Sequence, residues 1–216
     1  MRTFVSGFGP RSRRYPHAHS TAAARPRPAA TALKFDDKLW TYRSFNAWVN
    51  RIVAHFSRLG VGEGDVVAIL SENRPDMLAA TAAATKLGAI AGMLNYNQRD
   101  EVLSHSLGLI KPKDIVVGEE SVSALESTPY CPQQNTALHF LWMGGDAGNC
   151  PPGYEDLEAI TRDLSSSNPR STPAVRSKQP CFYIFTSGTT GMPKASVMSH
   201  SRWLKGGAGM GLLTAR

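Results

Sequence analysis

Apolar positions organise the first half of the chain. Phe45, Trp48, Val49, Ile52, Val53, Phe56 and Leu59 recur at helical spacing behind Ser44, a residue suited to an N-cap, and Gly60 closes the run. That stripe predicts an amphipathic helix with its apolar face in a core. "DVVAIL" (65–70) then reads as a buried strand. Asn73-Arg74-Pro75 opens a second helix that runs to about Leu87 and stops at Gly88. "AIAGMLN" (89–95) is a second strand. A third helix fits residues 98–109, with Val102, Leu103, Ser106, Leu107 and Ile110 on its inner side, and "DIVVG" (114–118) is a third strand. Strand, helix, strand, helix, strand at this spacing predicts an α/β fold of βαβ units with a largely parallel sheet.

The pattern then loosens around Pro129, Pro132, Pro151 and Pro152, where "ALHFLWM" (137–143) reads as a strand and residues 154–164 as a short helix. "SSSNPRSTPAVRSK" (165–178) is a polar linker. "CFYIFT" (181–186) is a β-prone strand that leads directly into "SGTTGMPKA". No internal repeat is visible.

Charge changes the picture less than its total suggests. The net charge is +7, but residues 1–35 hold six Arg and one Lys with no acid, whereas from Asp36 onward 17 Lys and Arg balance 17 Asp and Glu. A nucleic-acid-binding body would carry its own basic stripe, so no nucleic-acid partner is expected. The Arg-rich, acid-free N-terminus resembles an organellar transit segment, although Pro10, Pro16, Pro26 and Pro28 oppose a helix there. Residues 1–30 are read as a basic tail and 31–216 as the folded domain. "MLAATAAATKLGAIAGML" (77–94) contains Lys86 and is too small-residue-rich for a membrane span, so it is read as a helix running into a strand. Cys131, Cys150 and Cys181 lack metal or CxxC spacing and are read as unpaired, small hydrophobes.

The chemistry lies in "TSGTTGMPKA" (186–195). Gly188 and Gly191 permit positive φ and close ligand approach, so successive N–H groups can form an anion nest. Thr186, Ser187, Thr189 and Thr190 add hydroxyls, and Lys194 adds a mobile positive charge. A Walker A loop needs Gly before Lys and Ser or Thr after it, whereas Pro193 and Ala195 flank Lys194. The run is not GxGxxG either. "GTTG" alone would be explained by a generic turn; the full string after an apolar strand is not.

"YIFTSGTTGMPKA" (183–195) resembles the signature phosphate loop of the acyl-adenylate-forming superfamily. Ala195, "ASVMSHSRWLKG" (195–206), residues 40–78 and "KLGAIAGMLNYNQRDEVLSHSL" (86–107) resemble its fatty-acid-transport-protein and very-long-chain acyl-CoA synthetase branch. The resemblance implies that Thr186, Ser187, Gly188, Thr189, Thr190, Gly191 and Lys194 hold the outer phosphates of ATP. It implies ATP, Mg2+ and coenzyme A as cofactor and co-substrates, a long-chain carboxylic acid as substrate, and membrane association in full-length relatives. The family's later adenine, ribose, hinge and catalytic-lysine motifs are not found before Arg216. The expectation is therefore an N-terminal fragment with no catalytic residue of its own, inactive alone. The alternative is a non-catalytic phosphate- or nucleotide-binding module. His200 is left open between a structural and a site-lining role, and the other five histidines are read as surface or core.

Overall fold

The computed structural model describes residues 27–145, 147–169, 175–186 and 191–206. Along the chain come β1 (Thr31–Phe35), β2 (Lys38–Thr41), α1 (Tyr42–Arg58), β3 (Val66–Leu70), α2 (Pro75–Lys86), β4 (Ile90–Met93), α3 (Asp100–Ile110), β5 (Asp114–Gly118), α4 (Val122–Glu126), β6 (His139–Met143), β7 (Glu155–Asp156), α5 (Leu157–Thr161), β8 (Pro180–Thr186) and β9 (Lys194–Ser199). β1 and β2 form a separate antiparallel hairpin, and the other seven strands form one sheet in the order β7-β6-β5-β3-β4-β8-β9. All its pairings are parallel except β8 with β9. The α/β, largely parallel architecture is the one the hydrophobic pattern predicts.

Every residue of β3 and β5 is buried. Strands covered on both faces read as continuous apolar runs rather than alternating ones. Successive side chains nonetheless point to opposite faces. Val67 and Ile69 meet α1 and α2 through Val49, Ile52, Phe56, Ala80 and Ala83. Ala68 and Leu70 meet α3 through Leu103, Leu107 and Ile110. Phe45, Ile52 and Phe56 have no exposed surface, and each such burial contributes roughly 1.5–3 kcal/mol. The alanines of α2 let that helix lie close on the sheet, and among the described residues no helix is long and apolar enough to cross a membrane.

Helix boundaries refine the sequence reading. Thr41, not Ser44, is the N-cap of α1. Ser44 sits at the third helical position, where its N–H donates to Thr41 Oγ1 at 3.1 Å and its Oγ accepts from Thr41 N–H at 2.9 Å. The two hydroxyls form a capping box, so the helix starts one turn earlier. Pro75 occupies the first turn of α2, and Gly88, at φ +76°, ends it. The helix expected over 154–164 is shorter, because Asp156 caps it by accepting from the N–H groups of Glu158 and Ala159. Residues 27–30 join the folded unit: Tyr42 N–H donates to Ala30 O and Arg43 N–H to Pro28 O. The remaining tail, 1–26, lies outside the described residues.

Two buried charges sit inside this frame. Lys86 Nζ donates to Asn46 Oδ1 (3.1 Å), Asn50 Oδ1 (2.6 Å) and Asn168 Oδ1 (2.7 Å), tying α1, α2 and the start of the polar linker. Burial pulls this amine down to about 8, and the three amide oxygens pull the other way by favouring the charged form. Asp114 is completely buried, and neither carboxyl oxygen has a hydrogen-bond partner. Burial lifts it to about 6 against the opposing pull of His139 and Lys113.

A folded-state pKa raised from 3.8 to about 6 makes Asp114 neutral and harmless in acid. Its contribution to stability is therefore lost as pH rises through about 6. Asp114→Asn, which removes the charge at nearly constant shape, is expected to stabilise the chain at pH 7.5 by on the order of 2 kcal/mol. The gain should vanish near pH 4. Urea denaturation at the two pH values checks this.

Candidate functional site

β8 is held on both sides. Its Phe182, Tyr183 and Ile184 pair with Ala91, Gly92 and Met93 of β4, while its other edge pairs with β9 from Pro180↔Ser199 to Thr186↔Lys194. Because β3, β4, β5 and β8 run parallel, they end on the same edge of the sheet. That edge is where open α/β sheets bind ligands. The motif residues Thr186 and Lys194 thus face each other across the last rung of a hairpin, both exposed at this edge. Gly191 lies three residues before Lys194 at φ +85°, and among the described residues no heavy atom beyond its chain neighbours lies within 4 Å of where a Cβ would be. Its backbone borders open space. Ser187, Gly188, Thr189 and Thr190 fall outside the described residues. A hydroxyl, an ammonium and an open glycine backbone together suit a multiply charged anion.

A contact invisible in the sequence pattern joins this loop to α3. His105 Nε2 lies 3.2 Å from the carbonyl oxygen of Pro193. A lone histidine among helical residues carries no spacing signal, and only the fold reveals its partner.

His200 is placed elsewhere. Pro180↔Ser199 is at the opposite end of the hairpin from Thr186↔Lys194. At about 3.3 Å per residue, His200 stands roughly 20 Å from the loop. Ser199 Oγ accepts from Arg202 N–H there, capping the helical segment 200–206, and burial lowers the affinity of the His200 ring for a proton. It does not line the loop.

Nearer the middle of the same edge, Arg74 links three loops. Its guanidinium lies 3.4–3.5 Å from Asp76, Glu119 and Glu120, and it donates to the carbonyl of Met143. Arg74, Asp76, Glu119 and Glu120 line a cleft of about 1000 Å³ walled by Trp40 and Trp48, whose indoles stack at 6.0 Å. Its acids Asp36, Asp37, Glu72, Asp76, Glu119, Glu120 and Glu158 outnumber its Lys38, Arg51, Arg74 and Arg162. The carboxylates of this cleft disfavour a multiply charged anion, whereas Lys194 stands exposed at the other end of the edge. Among the described residues no group of three or more His, Cys, Asp or Glu converges to hold a metal.

The AMP-binding enzyme family model matches residues 20–214, and the chain belongs to that family. Over 183 residues it is 47% identical to the medium/long-chain-fatty-acid–CoA ligase FadD6 of Mycobacterium tuberculosis, covering 83% of this chain and 29% of the ligase. It is 33% identical over 168 residues to the long-chain fatty acid transport protein 1 of Bos taurus, covering 77% of this chain and 26% of that protein. The chain therefore spans less than a third of the length of these relatives. The fold is that of a Brucella canis acyl-CoA synthetase, at TM-score 0.71 and 22% identity, covering 87% of this chain and 33% of that one. The chain matches the N-terminal part of the adenylate-forming fold.

Gly191→Ala would meet no neighbour among the described residues, so the expected cost is backbone strain. Forcing a Cβ into this left-handed conformation costs about 1 kcal/mol. A matching small drop in unfolding free energy, by urea denaturation, is the expected result.

Proposed function

We propose that the chain forms the part of an ATP-dependent acyl-CoA ligase that grips the outer phosphates of ATP, with a medium- or long-chain fatty acid as substrate. The observation that carries this reading is the last rung of the β8–β9 hairpin, which sets Thr186 opposite Lys194 beside the open backbone of Gly191. The names of the fatty-acid CoA ligase and fatty acid transport relatives support the acid class. In the proposed reaction a carboxylate oxygen attacks the α-phosphorus of ATP and the bond to the bridging oxygen breaks. Acyl-AMP forms and pyrophosphate leaves. The thiolate of coenzyme A then attacks the acyl carbon, giving the thioester and AMP.

The residues of this chain act on the departing pyrophosphate. The Lys194 ammonium, the Thr186 hydroxyl and N–H groups around Gly191 offset charge that grows on the β-phosphate as the bond breaks. Ser187, Gly188, Thr189 and Thr190 are assigned the same role. Mg2+ is assigned to the triphosphate itself, since magnesium is ordinarily held through substrate phosphates with few protein ligands. No residue of this chain is assigned as catalytic.

Calorimetric titration with MgATP tests the site. Lys194→Ala removes a charge-assisted contact and is expected to weaken binding about ten- to hundredfold; unchanged affinity would overturn the assignment. Oleate-dependent exchange of pyrophosphate into ATP is not expected from this chain by itself, and exchange by it alone would overturn the expectation that it is inactive alone. Membrane or organelle association is proposed for the Arg-rich residues 1–35. A fluorescent fusion of that segment is expected to leave the cytosol, and a diffuse cytosolic signal would count against targeting.

A further inference from the structure

We propose that His105 is a positioning residue that anchors the returning limb of the phosphate loop. Its imidazole donates from Nε2 to the carbonyl of Pro193, 3.2 Å away, and so fixes the approach to Lys194. The consequence for phosphate binding rests on the function proposed above; the anchor itself does not.

Three features carry the inference. First, α3 is a rigid support. Leu103, Leu107 and Ile110 are buried in the second core beneath it, and His105 lies between them on the side turned toward β9. Second, Pro193 has no N–H and therefore cannot donate to the β8–β9 ladder. Its carbonyl is the polar backbone group through which the residue can be held, and the residue is buried. Third, the next residue, Lys194, begins β9 opposite Thr186. The backbone of Lys194 is therefore gripped on one side by the strand pairing and on the other by α3. A carbonyl accepts only, so the contact requires hydrogen on Nε2 and fixes the ring as the Nε2–H tautomer or the imidazolium. A backbone restrained before binding loses less freedom when an anion binds beside it.

The test uses the full chain with two substitutions. His105→Leu removes the donor. His105→Gln keeps an N–H able to reach the same carbonyl. Amide hydrogen exchange at Gly191, Met192 and Lys194, without ligand, reads the anchor. Exchange there should quicken in His105→Leu and return toward the original rate in His105→Gln, with α3 and the central strands unchanged. Pyrophosphate binding by calorimetry should weaken about three- to tenfold in His105→Leu and recover in His105→Gln. Unaltered exchange in His105→Leu, or equal exchange in the two variants, overturns the anchor. So does a nitrogen chemical shift placing the proton of the neutral ring on Nδ1 in the unsubstituted chain, a measurement that needs no variant. If exchange responds as expected but the unsubstituted chain takes up no pyrophosphate, the anchor stands and the phosphate assignment falls.

Discussion

The parallel pairing of β4 with β8 decides where the glycine-rich loop ends up. Ala91 and Phe182 are far apart in sequence, yet they are neighbours in the central sheet. The intervening chain first builds β5, β6 and β7 on the other side of β3 and then returns. The closure of so long a connection is unfavourable in entropy, and burial on both faces of β8 offsets it. Cys181 and Phe182 join the core beneath α1 and α2, while Tyr183, Phe185 and Ala195 pack against the core beneath α3. With both faces and both edges engaged, β8 presents Thr186 from a fixed base. A hairpin with the same loop sequence but no β4 beside it would lack that base.

The charges along the binding edge divide it into two regions. Above β3 and β5, one guanidinium serves the loops after three strands, because Arg74 meets Glu119 and Glu120 after β5, donates to the last carbonyl of β6 and stands at the start of α2. Exposed ion pairs contribute little singly, but Arg74 is only about one-fifth exposed and combines several contacts. Its charge is matched locally and is not presented to a ligand. Two strand positions away, above β8, the balance reverses: Lys194 is exposed beside a hydroxyl and a glycine. An anion therefore finds attraction at one end of the edge and carboxylates at the other.

The βαβ half of the chain was legible because its signals are local and agree with one another. Pro75 and Gly88 bracket α2, "VVAIL" is apolar throughout, "DIVVG" is apolar after its Asp114, and the α1 stripe faces its core. Elements that depend on partners were not legible. β1 and β2 are short and largely exposed, with Asp36 at φ +50° in their turn, so no apolar alternation marks them. β7 is only two residues long. In the polar linker, Asn168 looks like any loop amide until Lys86 is found beside it. In the site, residue types raised the expectation of a phosphate loop, but the placement of Lys194 on a strand and the reach of His105 came only with the fold.

That placement on a strand sets the physics of the loop. In phosphate loops that open a helix, the helix N-terminus supplies part of the positive field. Here Lys194 starts an antiparallel strand, and the next helical segment begins at His200, at the other end of the hairpin. No helix dipole points at the loop from its own continuation. In the proposed phosphate role, attraction would therefore come from the ammonium, the hydroxyls and the N–H groups of the loop itself, whose effect falls off over short distances. Such donors stabilise a departing pyrophosphate only if they already stand where the charge will develop. The ladder at Thr186↔Lys194 and the contact from His105 to Pro193 supply that order on either side of the lysine. With a strand in place of a helix, the site relies on restraint of its backbone rather than on a long-range field.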